Sequence, residues 1–245
     1  MVEVVICAVA RTPVGRYRGA LANQSAVELG IHAVKGLLER VDIDPTSGII
    51  DDVLFGQVLQ AGAGQAPARQ VALGAGMPFS TPATTINKVC GSSLKAVMMA
   101  ANSIRSGEYN VIVAGGMESM TNAPYFAQKI SRTEFGEMKP TMVHDGLWDV
   151  YNDEHMGNTG ETVAEEFEID KGDADYFAMR SYQKAQLAWG VHAAPHQQHP
   201  GWMDFEVIET PELDTDEGIE WVGRWGPCAN IFDIRQHLNE DKPAF

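Results

Sequence analysis

Residues 84–96 read TTINKVCGSSLKA, and this stretch predicts a strand that turns directly into a helix. The strand covers residues 84–89, and the helix covers residues 91–106, with a stripe of apolar residues on one face and Gly107 at its end. Cys90 therefore lies at the turn, where unpaired N–H groups of the helix N-terminus favour a thiolate. The position predicts a nucleophile, and the alternative is a buried cysteine that acts as a small apolar side chain.

Strands and helices alternate on both sides of this turn. A capping box formed by Ser25 and Glu28 predicts a helix that runs to Arg40, and a short helix is predicted to end near Ala75. Cys7 lies inside an apolar strand and is expected in the core. Strands joined by helices indicate βαβ units, so the fold class is α/β with a parallel sheet. The predicted strands are residues 2–10, 52–59, 84–89 and 111–114.

The regular alternation ends near residue 119. Residues 1–118 are predicted to be the sheet domain, and residues 119–245 are predicted to be an irregular loop domain with an acidic tail. One helix is expected in the second region, from residue 173 to about residue 189. Long excursions from a sheet domain usually carry function.

Composition excludes several classes of protein. Lys and Arg total 18 against 33 Asp and Glu, a net charge of −15, so no nucleic-acid partner is expected. The longest apolar run is seven residues, 4–10, whereas a membrane span needs about 20, and no secretory signal is recognised. Three widely spaced cysteines predict no disulfide framework and favour a cytoplasmic location. Pro195 and Pro200 break the helix that would align His192, His196 and His199, so no metal site is expected.

Several motifs resemble those of the thiolase family, and they occur in the family's order over residues 2–210. Residues 87–96, NKVCGSSLKA, resemble the segment that carries the family's acylated cysteine. A ketosynthase shares the fold and the nucleophile, but the HMG sequence at residues 155–157 argues against that family. The other similar stretches are residues 10–15 (ARTPVG), 56–58 (GQV), 64–70 (GQAPARQ), 114–120 (AGGMESM) and 145–149 (DGLWD).

The resemblance implies the fold of the thiolase N-terminal half, a βαβαβαβ arrangement with helices on both faces of a mostly parallel sheet, together with an α-rich loop domain. It implies an acetyl-CoA C-acetyltransferase in which Cys90 forms an acyl intermediate during condensation or cleavage of short-chain 3-ketoacyl-CoA. Leu147, His155 and Met156 would line the pantetheine channel, with ordinary loop packing as the alternative. Arg224 could hold the adenosine phosphate of coenzyme A. Coenzyme A thioesters would be substrates, and no cofactor or metal is implied.

No stretch of the sequence resembles the family's second half, so the C-terminal half of the fold is expected to be absent. By resemblance, that half supplies a histidine that activates the cysteine, an asparagine that holds a water, and a second cysteine that acts as base. The sequence therefore predicts a split enzyme, a hetero-oligomer in which a second polypeptide carries the C-terminal half. The alternatives are a non-catalytic acyl-CoA-binding or scaffold subunit, and a fragment of a longer enzyme.

Overall fold

The structure, a computed structural model, describes residues 3–193, with side chains described up to residue 184. A parallel sheet of three strands forms its centre, in the order β2-β1-β3. The strands are β1 (Asp52–Gly56), β2 (Ala83–Ile86) and β3 (Ile112–Gly116). All five residues of β1 are buried, as expected for the central strand of a sheet that is covered on both faces.

Five α-helices accompany the strands in the part of the chain that the structure describes. The bounds are α1 (Ala26–Arg40), α2 (Pro67–Gly74), α3 (Ser92–Ser106), α4 (Met156–Glu166) and α5 (Lys171–Ala193). The helix predicted from residue 173 is thus confirmed in α5 and begins two residues earlier. No helix among residues 3–193 has the length and apolar character that crossing a bilayer requires.

Alternate residues of β1 face two different helix layers. Val53 and Phe55 belong to a core with residues of α1 and α2, whereas Leu54 packs with Ala96 and Ala100 of α3. Successive side chains of a strand point to opposite faces, so one strand supports both layers. The predicted α/β fold with helices on both faces of a parallel sheet is confirmed.

Helix α1 begins where its sequence predicts. Ser25 Oγ accepts the Glu28 N–H at 3.2 Å, and Glu28 Oε2 accepts the Ser25 N–H at 2.7 Å. These reciprocal bonds satisfy two backbone donors that the helix itself leaves without partners. They confirm the capping box and fix the start of α1, which packs against α2.

The predicted first strand is wrong. Residues 3–10 form no strand, and Cys7, which was expected in the core, is exposed. Val5 and Ile6 are 65% and 75% exposed. A strand needs a neighbour for its backbone hydrogen bonds, and within residues 3–193 the edge strand β3 pairs only with β1. Residues 3–10 are therefore neither paired in a sheet nor buried, although most of them are apolar.

After β3 the chain leaves the sheet. Strands β4 (Tyr125–Lys129) and β5 (Phe135–Pro140) pair antiparallel, and so do the short strands β6 (Trp148–Asp149) and β7 (Glu154–His155). The change of architecture after Ser119 agrees with the position at which the sequence pattern changes. The division at residue 118 into two domains stays a prediction. A π-helix lies at Met142–Leu147, and 3-10 helices lie at Pro45–Ser47 and Met120–Asn122.

Candidate active site

Cys90 is exposed on a tight connection between β2 and α3, which we call the cysteine elbow (residues 87–91). Within it, the Gly91 N–H bonds to the Lys88 carbonyl and the Ser92 N–H bonds to the Val89 carbonyl, both at 3.1 Å. The predicted position of Cys90 at a strand-to-helix turn is confirmed. Because the residue is exposed, its interpretation as a buried apolar cysteine does not hold.

The backbone of Val89 has a left-handed conformation, with φ of +47°. This region is rarely occupied by a β-branched residue, and the strain costs on the order of 1–3 kcal/mol. The strain lies directly before Cys90, so the fold must stabilise the elbow by other contacts. Strained backbone of this kind persists only where its surroundings determine it.

Two side chains hold the backbone of the elbow from within. Asn87 Oδ1 accepts the Val89 N–H at 2.9 Å. Ser92, only 4% exposed, accepts the Lys88 N–H at 2.8 Å and donates its hydroxyl to the Val89 carbonyl at 2.6 Å. Both polar groups of the strained Val89 peptide unit are therefore hydrogen-bonded by side chains, which is what a buried or strained backbone requires.

A longer chain of contacts joins the elbow to the ends of β1 and β3. Asn87 Nδ2 donates to the Val58 carbonyl at 3.3 Å. The carboxylate of Glu118, just after β3, accepts the N–H groups of Val58 at 2.8 Å and Leu59 at 3.3 Å. Burial raises the pKa of Glu118, while its bonds from the N–H groups of Val58, Leu59 and Ser119 favour the charged form.

Glycines at the ends of β1 and β3 let α3 begin directly on the sheet. A Cβ at Gly56 would lie 2.7 Å from backbone atoms of Ser92 and Ser93. A Cβ at Gly116 would lie 2.7 Å from Ser93 Cβ. Such distances are shorter than any packing of side chains allows, so these two positions fix how near the first turn of α3 approaches the sheet.

The loop region comes close to the same end of the sheet near the turn at residues 58–59. A Cβ added at Gly146, in the π-helix Met142–Leu147, would lie 3.4 Å from Leu59 Cδ2. The π-helix therefore lies near the turn that Glu118 and Asn87 hold. Short π-helices are frequent at functional sites.

Leu147, His155 and Met156 are brought together by the β6–β7 pair. Trp148 lies opposite His155 in this antiparallel ladder, so Leu147 and Met156 flank the same end of it. Leu147 and His155 are half-buried, and Met156 is 39% exposed. The backbones of the three predicted channel residues are thus neighbours in the loop region, and Leu147 is the last residue of the π-helix.

His155 also forms the N-cap of α4, because its Nδ1 accepts the Gly157 N–H at 3.0 Å. A neutral imidazole that accepts a bond at Nδ1 carries its proton on Nε2. The Nε2–H group is therefore the donor that His155 can offer to a ligand. The helix cap fixes which nitrogen takes that role.

Three residues of this site were not singled out by the sequence analysis. Asn87, Ser92 and Glu118 lie inside the quoted motifs, but their roles depend on contacts that span up to 60 residues. The sequence offered one signal for them: Asn87 and Ser92 lie within three residues of Cys90, and Glu118 follows the two glycines at residues 115–116. Arg224, expected at the adenosine phosphate, lies outside the described residues.

Comparisons with known proteins agree on one family. Residues 4–194 match the thiolase N-terminal domain. The chain is 50% identical over 212 residues to an acetyl-CoA acetyltransferase of Cupriavidus necator, covering 85% of this chain and 51% of the relative. It is 49% identical over 189 residues to the mitochondrial acetyl-CoA acetyltransferase A of Xenopus laevis, covering 76% of this chain and 44% of the relative.

A solved structure shows the same similarity. The Acat5 thiolase from Ascaris suum, crystallised in complex with coenzyme A, aligns with a TM-score of 0.72 and 34% sequence identity. The alignment covers 78% of this chain and 49% of that one. The chain therefore spans about half the length of the relatives that it matches.

Proposed function

This chain belongs to the thiolase family, and we propose that it is the nucleophile-bearing part of an acetyl-CoA C-acetyltransferase. Cys90 forms the acyl-enzyme, and the reaction is the condensation or cleavage of short-chain 3-ketoacyl-CoA. The observation that carries this proposal is the exposed thiol of Cys90 at a strained elbow, directly before the N-terminus of the 15-residue helix α3. The dipole of a helix favours negative charge at its N-terminus, which suits a cysteine that acts as a nucleophile.

The proposed reaction has two half-reactions at one sulfur. The Cys90 thiolate attacks the thioester carbonyl of an acyl-CoA, the bond to the coenzyme A sulfur breaks, and coenzyme A leaves and takes up a proton. A base then removes a proton from the α-carbon of a second acyl-CoA. The resulting carbanion forms a carbon–carbon bond with the acyl group, and Cys90 leaves as a thiolate.

The backbone N–H of Cys90 would provide one donor for the tetrahedral intermediate, a kind of contact worth about 10²–10³ in rate. In the second site, Leu147 and Met156 would contact the pantetheine and acyl groups. The Nε2–H of His155 would donate to the thioester oxygen. The tautomer with its proton on Nε2 is favoured because Nδ1 accepts the Gly157 N–H. Met156 favours a short acyl chain, because a bulky side chain shortens the pocket.

The remaining catalytic groups would come from the family's second half, which we propose is carried by a second polypeptide in a hetero-oligomer. The support is the outer face of α3, where Leu94, Val97 and Met98 are 65%, 38% and 50% exposed. The opposite face of α3 is also apolar, with Ala96 and Ala100 packed on the sheet. Large apolar side chains that cluster on an exposed helix face usually mark a surface that another layer covers, so a further layer should cover the outer face of α3.

Mass spectrometry of Cys90 tests the proposal. The chain is exposed to acetyl-CoA with and without the product of the neighbouring open reading frame, and the peptide that contains Cys90 is analysed for an acetyl adduct. We expect acetyl-Cys90, and turnover of acetoacetyl-CoA only in the mixture. Cys90→Ala should abolish both, whereas Cys7→Ala is the matched control, because Cys7 is also an exposed free thiol.

The alternatives give different results in the same experiment. A non-catalytic acyl-CoA-binding or scaffold subunit would assemble and bind thioesters without any acyl-Cys90. A fragment of a longer enzyme would be revealed by an open reading frame that continues beyond residue 245. Condensation of two acetyl thioesters by the purified 245-residue chain alone would refute the division between two polypeptides.

A further inference from the structure

A hydrogen-bonded path joins the end of β3 to the backbone of Cys90. Glu118 holds the turn at residues 58–59 through the Val58 and Leu59 N–H groups. The Val58 carbonyl of that turn accepts the side-chain amide of Asn87. The other end of the same amide accepts the N–H of Val89, the strained residue that precedes Cys90.

We propose that Asn87 and Glu118 are positioning residues that keep Val89 in its left-handed conformation and thereby place the sulfur of Cys90 at the N-terminus of α3. The proposal concerns the geometry of the elbow. Its consequence for acyl transfer rests on the proposed function, but its effect on the reactivity of the thiol does not.

The chemistry of the side chain explains why position 87 is an amide. The Val89 N–H requires an acceptor and the Val58 carbonyl requires a donor, and one planar amide supplies both. An aspartate would keep the acceptor but place a carboxylate oxygen against the carbonyl. Alanine would remove both contacts. Asn87→Asp and Asn87→Ala therefore separate the local turn from the link to Val58.

A second carboxylate makes similar contacts at the opposite ends of β1 and β3 and can serve as a control for Glu118. Asp51, before β1, accepts the N–H groups of Asn110 and Val111 at 2.7 and 2.9 Å, just before β3. Both carboxylates thus join the chain near β1 to the chain near β3. Only Glu118 lies at the end that carries the elbow, so Asp51→Asn is the control for Glu118→Gln.

The first experiment measures the rate of iodoacetamide alkylation of Cys90 relative to Cys7 in the full chain, by peptide mass spectrometry. We expect Asn87→Ala and Glu118→Gln to slow the alkylation of Cys90 by about two- to five-fold relative to Cys7, because a sulfur displaced from the N-terminus of α3 loses the favourable interaction with the helix dipole. The relative alkylation rate of Cys90 in Asn87→Asp should lie between the rates in Asn87→Ala and in the unsubstituted chain. Asp51→Asn should change the ratio by less than about two-fold.

A double variant distinguishes positioning from general loss of stability. Glycine adopts the left-handed conformation without steric cost, so Val89→Gly should restore most of the Cys90 reactivity that Asn87→Ala removes. A purely structural role predicts the opposite, since glycine would loosen the elbow further. The inference is overturned if Asn87→Ala leaves the alkylation ratio unchanged, or if folded Asn87→Ala/Val89→Gly shows no recovery by this assay.

A second experiment separates this inference from the proposed function. In the assembled enzyme, Asn87→Ala should lower the rate of acetyl-Cys90 formation by about 10- to 100-fold, with little change in KM for acetyl-CoA. If the unsubstituted chain forms no acetyl-Cys90 while the alkylation pattern holds, the proposed function fails and the positioning role stands. If acetyl-Cys90 forms equally well in the variants, the positioning role fails and the function stands.

Discussion

At Gly56 the sheet and the helix that follows Cys90 approach more closely than any side chain permits. A Cβ there would lie 2.7 Å from backbone atoms of Ser92 and Ser93, which cannot move without shifting α3. Overpacking of this kind costs about 1–3 kcal/mol. We expect Gly56→Ala to lower the free energy of unfolding by that amount, measured by urea denaturation, and to slow the alkylation of Cys90.

Gly160→Ala is the control for this substitution. Gly160 lies inside α4, its added Cβ would meet nothing within 4 Å, and alanine is the better helix former. The replacement should therefore raise the free energy of unfolding by about 0.5–1 kcal/mol and leave Cys90 unaffected. If both alanines changed stability equally, contact between sheet and helix would not be the cause at Gly56.

Two carboxylates should give the protein opposite dependences on pH. The backbone N–H groups of Val111 and Asn110 lower the pKa of Asp51 below its ordinary 3.8, so its stabilisation is lost as the pH falls through the folded-state pKa. Burial raises the pKa of Glu118 above its ordinary 4.5, so its contribution is largest below 4.5 and is lost as the pH rises through the folded-state pKa.

These signs predict how substitutions respond to pH. The destabilisation caused by Asp51→Asn should shrink as the pH is lowered below 3.8, and that caused by Glu118→Gln should shrink as the pH is raised above 4.5. Urea denaturation of both variants and the unsubstituted chain, from acid to neutral pH, measures the two trends. Parallel trends would show that burial does not dominate the environment of Glu118.

At the scale of the elements, local signals were sufficient where the interactions are local. The Ser25–Glu28 capping box predicted the start of α1, and Gly107, with φ of +79°, ends α3 as expected. The strand predicted for residues 3–10 was wrong because an apolar segment forms a strand only where a neighbouring strand is present to pair with it. Pairing is a property of the sheet, and a single segment does not encode it.

The same distinction applies to the candidate site. The turn that carries Cys90 was predictable from residues 84–96 because the strand, the turn and the helix are contiguous. The contacts of Asn87 and Glu118 were not, because they meet at a turn 29 and 59–60 residues away along the chain. The motifs identified which segments matter, and the fold identifies what the side chains within them do.

At the scale of the whole molecule, α3 carries large apolar side chains on the face that points away from the sheet. Small residues, Ala96 and Ala100, face the sheet, whereas Leu94 and Met98 are half or more exposed. This exposed apolar face is the surface that the proposed second polypeptide would cover.

Leu94→Glu and Met98→Lys test that surface. Because both side chains are exposed, the free energy of unfolding should change by no more than about 0.5 kcal/mol, as urea denaturation would show. Burying an unpaired charge at an interface is costly, so sedimentation of the mixed polypeptides should show assembly weakened by at least about ten-fold. Phe79→Glu is the control, since Phe79 is 85% exposed and lies before β2, where its ring is 5.9 Å from the guanidinium of Arg69 in α2. Assembly that tolerates charges at both positions 94 and 98 would show that the second polypeptide does not cover α3.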